Sequence, residues 1–135
     1  MVYKLDAEYD YDFLLLAISC YEKDYRMCWL INKALGIEMS REEDLEKKQR
    51  EEESFHSVFS ASVDDDTIQF TLIRNRTEHG VLLPELRQVD YLLRIDGSME
   101  TASDIAECLR AIPQVVGVYE VDPMELNDKA HLVIE

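Results

Sequence analysis

The stretch that decides the fold runs from Val89 to Val121. Val89-Asp90-Tyr91-Leu92-Leu93-Arg94-Ile95 alternates, and Asp96-Gly97-Ser98 turns the chain. Thr101-Ala102-Ser103-Asp104-Ile105-Ala106-Glu107-Cys108-Leu109-Arg110-Ala111-Ile112 follows, and Pro113 stops it. Val115 to Val121 closes the stretch, with Asp122-Pro123 behind it. Period-two alternation with Val89, Tyr91, Leu93 and Ile95 on one face predicts a strand. Ala102, Ile105, Ala106, Leu109 and Ile112 recur at helical spacing, and Thr101 with Asp104 has the spacing of a capping box. Val115–Val121 is rich in β-branched residues and reads as a second strand. Short connections around the helix place both strands in one sheet, with a right-handed crossover where they run parallel.

The chain upstream supplies the other elements. Phe55, Ser57, Phe59, Ala61 and Val63 share one side of an extended segment, and Ile68, Phe70 and Leu72 share one side of the next. Asp64-Asp65-Asp66 between them is turn-rich, so the two form a hairpin. Arg74 to Gly80 reads as a loop, and Pro84 bars a central strand over Val81–Leu86. Phe13-Leu14-Leu15-Leu16-Ala17-Ile18 is a continuous apolar run, expected of a strand buried on both faces. A first helix is predicted from an N-cap at Asp24, through Tyr25, Cys28, Trp29, Ile31 and Leu35, to a terminal Gly36. Leu126 and the short apolar stretch Leu132–Ile134 end the sequence.

Glu38 to Ser54 differs in composition. It is crowded with charges of both signs, and Leu45 is its only large apolar residue after Met39. Such a segment buries little, and the expectation is an acidic flexible connector or frayed helix at about 38–54. The whole of 1–135 then forms a single α+β domain, with a mainly antiparallel sheet of about five strands and two helices on one face. Two strand–helix–strand units joined through antiparallel strands imply a ferredoxin-like sandwich.

Charge narrows the function classes. Against 14 Lys and Arg stand 29 Asp and Glu, a net charge of −15 over 135 residues. Nucleic-acid phosphates and anionic bilayers are poor partners for such a chain. The opening residues, Met1 to Glu8, have no basic region followed by an apolar one, so neither a signal peptide nor a membrane span is expected. Cys20, Cys28 and Cys108 are widely spaced in apolar contexts and read as core residues of a cytoplasmic protein.

No catalytic or cofactor motif is present. Asp6, Glu8, Asp10 and Asp12 alternate as in a calcium loop, but the required glycine and distal glutamate are missing from both registers. His56, His79 and His131 share no ligand spacing. The chain holds only four glycines and lacks a phosphate-binding or dinucleotide loop, as well as a nucleophile elbow. The expectation is a protein that is not an enzyme and uses no cofactor or metal.

Leu83-Pro84-Glu85-Leu86-Arg87-Gln88-Val89-Asp90-Tyr91 resembles the name-giving motif of the IPExxxVDY family, a group of small bacterial proteins. Leu83 stands for the family's isoleucine; Pro84, Glu85, Val89, Asp90 and Tyr91 match. Asp10-Tyr11-Asp12-Phe13, Asp24-Tyr25-Arg26 with Cys28-Trp29 and Asn32, Ile112-Pro113, and Glu120-Val121-Asp122-Pro123 resemble the family as well. The family carries no established activity to this chain. Physically, Pro84 fixes φ where a strand begins. Asp90 leaves the face shared by Val89 and Tyr91 and needs a partner, with Arg26, Arg87 and Arg94 as nominees. Either the motif holds a strand in register or it forms a polar notch that docks a partner. Pro84, Glu85, Val89, Asp90 and Tyr91 are the candidate residues.

Two functional readings follow. One is a protein-interaction or structural module whose acidity favours a basic protein surface, or which self-associates. The other is a small-ligand sensor, because Val89–Val121 resembles half of an ACT-type regulatory domain.

Overall fold

The computed structural model describes residues 13–49, 52–98 and 100–126. The acids Asp6 to Asp12, His131 and the stretch Leu132–Ile134 lie outside the described residues. Six antiparallel strands form the main sheet: β1 (Leu14–Cys20), β2 (Ser40–Arg41), β5 (Val58–Val63), β6 (Ile68–Arg74), β9 (Tyr91–Asp96) and β10 (Val115–Val121). Their order is β10-β1-β9-β6-β5-β2. Helix α1 (Asp24–Leu35) follows β1, and α2 (Ala102–Arg110) links β9 to β10. The strand–helix–strand unit forms with both strands in one sheet, parallel and separated by β1, but β9 begins at Tyr91 and leaves Val89 outside the strand.

Register explains why the sheet is apolar on both faces. Leu16 faces Leu93, Leu93 faces Leu72, and Leu72 faces Phe59, giving one row across four strands. All four are buried in a cluster with α1 and α2. One position along, Ala17, Leu92, Ile73 and Val58 form the opposite row and belong to a second cluster. A row on each face requires the uninterrupted apolar run of β1, because alternate side chains enter different cores. The helices cover the first face. Leu82, Leu83, Val89 and Leu126, together with the half-buried Leu45 and Leu86, cover the second.

The helix ends follow local chemistry. Thr101 accepts the backbone N–H of Asp104 at 3.1 Å and caps α2. Gly36 ends α1 at φ 68°, a left-handed conformation that glycine adopts without penalty. The start of α1 differs from expectation: Lys23 is the N-cap and Asp24 the first helical residue. Its buried face is Met27, Cys28, Leu30 and Ile31, whereas Tyr25 and Trp29 are 66% and 49% exposed. The helix has more apolar residues than one stripe can bury, and the sheet takes the set offset from Tyr25 and Trp29. Cys108, expected in the core, is also exposed; Cys20 and Cys28 are buried.

The segment read as a flexible connector is the main correction. It contains β2 and β3 (Leu45–Gln49), and β3 pairs with β4 (Glu52–His56) in a separate antiparallel hairpin. Phe55–Val63 is therefore two strands broken at Ser57. Phe55 is exposed on the small hairpin, while Phe59 is buried on the large sheet. Arg74–Gly80 likewise contributes a short hairpin, β7 (Arg76–Thr77) with β8 (Gly80–Val81). Asp64, Asp65 and Asp66 form the expected turn, all at positive φ.

Candidate functional site

Asn75 stands at the end of β6 and is completely buried. Its side-chain amide donates to Leu86 O at 2.9 Å and Val89 O at 2.8 Å, and its oxygen accepts from Leu83 N at 2.9 Å. Its backbone N–H donates to Asp90 O at 2.8 Å, and its carbonyl accepts from Leu82 N at 2.9 Å. One residue thus anchors Leu82 to Asp90. This is the physical content of the motif: a loop folded back on the sheet around a buried amide. Asn75 lies eight residues before the motif, so only its place between two apolar segments hinted at it.

The motif residues divide by role. Pro84 begins a 3-10 turn, Pro84–Leu86, and does not open a strand. Pro84, Glu85, Arg87 and Gln88 are exposed, while Val89 and Tyr91 are buried. Val89 belongs to the cluster opposite that of Tyr91, Leu93 and Ile95, because β9 begins only at Tyr91. Tyr91 Oη donates to Glu22 O and fixes the turn between β1 and α1. Burial pushes its hydroxyl well above the usual tyrosine range.

None of the nominated arginines partners Asp90. Its Oδ2 accepts from the backbone N–H of Cys20 at 2.9 Å, and Arg76 Nε lies 4.0 Å from Oδ1. Arg94 instead makes two bonds to Asp96, at 2.9 and 3.0 Å, and Arg26 lies 3.9 Å from Glu22. Register between β1 and β10 shifts at Ser19/Cys20, next to the amide that Asp90 receives. The carboxylate closes the β1–β9 ladder where β9 bends away.

A second polar group lies under the small hairpins. Ser54 Oγ and His56 Nε2 are 2.7 Å apart, and His56 Nδ1 is 2.9 Å from Arg74 O. Lys47 Nζ donates to Val81 O at 3.1 Å and Leu82 O at 2.7 Å. Sequence reading missed this group, because its carbonyl partners come from distant segments. Burial pushes the His56 imidazole toward its neutral form. A neutral ring donating from Nδ1 and accepting from Ser54 satisfies both contacts. Serine against imidazole is also the chemistry of a nucleophile and base. Both side chains are buried, and Gly80 packs so close that an added Cβ would lie 3.2 Å from Ser54 Oγ. Through the Arg74 carbonyl the pair stitches β4 to the end of β6.

The motif loop borders a notch of about 450 Å³ against β10. Ala17, Val89 and Leu126 give it an apolar base, and Asp122 and Glu125 are its acids; Glu120 pairs with Leu16 and shares the helix face of the sheet. Tyr119, at its side, is 53% exposed. Asp122 also caps the turn Pro123–Glu125 by accepting from Met124 N at 3.0 Å. Among the described residues, no helix is long and apolar enough to cross a membrane, and no group of three or more His, Cys, Asp or Glu is placed to hold a metal. No family model, curated protein or solved structure matches the chain.

Proposed function

We propose that the protein is a non-enzymatic interaction module that docks a basic protein segment in the notch between the motif loop and β10. The notch lining carries this reading: apolar residues at its base, the carboxylates of Asp122 and Glu125, and no Lys or Arg among the described residues. The net charge of −15 adds long-range attraction for a basic partner. Tyr119 supplies an aromatic of the kind that concentrates binding energy when a partner covers it. In this reading Asn75 and Asp90 hold the loop, and Leu86, Gln88 and Val89 present it.

Cross-linking followed by affinity purification from the native cell tests the proposal. Wild-type protein should recover a basic partner, and Tyr119→Ala/Glu125→Lys should not. Equal recovery by both would contradict it.

We further read β10-β1-β9-β6, with α1 and α2 on one face, as a ferredoxin-like sandwich extended at one edge by β5 and β2. The resemblance to the IPExxxVDY family is compatible with this reading and adds no activity to it. The competing reading, an ACT-like ligand sensor, rests on the strand–helix–strand unit β9–α2–β10 alone. A thermal-shift screen with amino acids and nucleotides separates the two, because ligand far above its dissociation constant stabilises by a few kcal/mol, roughly 3 at a hundredfold excess.

A further inference from the structure

A groove of about 590 Å³ runs between α1 and the C-terminal end of α2, on the helix side of the sheet. Its charge is opposite to that of the chain. Arg26 and Lys33 line it, and among the described residues no Asp or Glu does. Both cations lie by the same indole: Arg26 Cζ is 5.1 Å and Lys33 Nζ 5.0 Å from the centre of the Trp29 ring. Their positions, three before and four after Trp29, put all three side chains on one helix face. Leu30 and Ile112 form an apolar floor, each under 9% exposed.

These features specify an occupant. Two cations want carboxylates, and the apolar floor and half-exposed indole want hydrophobic side chains between them. A peptide supplies both. We infer that this groove binds an acidic peptide segment of a partner protein, with apolar residues between its carboxylates. It is a second docking site, separate from the acidic notch and of opposite selectivity. Exposed charges are screened over about 8 Å at physiological salt, so the local cations outweigh the distant net charge there. Arg26 divides its charge with Glu22 at 3.9 Å, which leaves Lys33 the stronger attractor.

The chain contains one tryptophan, so its indole fluorescence reports on this groove alone. The full-length protein is titrated at physiological salt with a short peptide of alternating Glu and Leu, and separately with one of alternating Lys and Leu. The Glu–Leu peptide should change Trp29 emission saturably, and the Lys–Leu peptide should not. Arg26→Gln/Lys33→Gln should weaken the Glu–Leu response at least about tenfold. Cys108 lines the same groove and is exposed, so alkylation of its thiol gives a second readout on the unaltered protein. Bound Glu–Leu peptide should slow it several-fold. An unchanged emission with an unchanged alkylation rate overturns the inference, as does equal binding of the Lys–Leu peptide here. Failure here leaves the acidic notch untouched, because the Lys–Leu peptide addresses that site separately.

Discussion

The carboxylate of Asp90 accepts the backbone N–H of Cys20 at 2.9 Å, while the backbone N–H of Asp90 donates to Ile18 O at 3.0 Å. The main chain makes the last rung of the β1–β9 ladder, and the side chain makes the next one. A side chain replaces a backbone carbonyl because β9 starts at Tyr91 and the chain before it turns away to cover the second face.

Asp90→Ala should therefore lower stability by about 1–3 kcal/mol, because it leaves a part-buried N–H without a partner. Urea unfolding measures this. The control is Asp65→Asn on the exposed turn, where asparagine tolerates the positive φ of 57° that alanine would not. Its stability should stay within about 0.5 kcal/mol of wild type. Equal stabilities for the two variants would show that the Cys20 contact contributes nothing.

Asn75→Ala should be the costlier change. It strands Leu83 N, Leu86 O and Val89 O together; all three bonds are under 3 Å, two of them buried and one partly buried. A loss of about 2–4 kcal/mol is expected from urea unfolding. Hydrogen exchange should quicken across Leu82–Asp90 before the rest of the sheet.

His56 makes stability depend on pH. Its folded pKa is lowered by burial, so the unfolded chain binds a proton more readily than the folded one. The stability contributed by the neutral ring is complete above the ordinary histidine value of about 6.5 and declines as pH falls below it. Denaturation midpoints between about pH 7 and 5 should fall with pH in wild type. The slope should be shallower in His56→Gln, whatever that variant's absolute stability.

Replacing residues 43–54 with a Gly/Ser linker should destabilise the protein by about 2–4 kcal/mol, through loss of the Leu45 contacts and of the Lys47 bonds to Val81 O and Leu82 O. A melt unchanged from wild type would return this segment to the status of a spacer.

Much of this architecture is legible in the residues. The apolar run Phe13–Ile18 signals a strand with a core on each side, because neither face can be polar. Thr101, Pro113 and Gly36 mark helix ends through backbone chemistry that acts locally. What is hidden depends on remote partners. Lys47 and His56 are buried because carbonyls of Val81, Leu82 and Arg74 receive them, and no local pattern announces a distant carbonyl. Alternation from Phe55 to Val63 fits one strand as well as two, since the break at Ser57 changes the sheet and not the period. Of the candidate site, the residues of the motif are readable but their division of labour is not. Asp90 shows its need for a partner in the sequence, whereas Cys20 as that partner follows only from the antiparallel register.

The proposed docking of a basic segment in the notch is tested most directly by amide chemical-shift mapping during titration with the Lys–Leu peptide. Saturable shifts concentrated at Ala17, Val89, Tyr119 and Leu126, lost in Tyr119→Ala/Glu125→Lys, are the predicted result. Shifts scattered over the acidic surface, or unaffected by that double substitution, would contradict it.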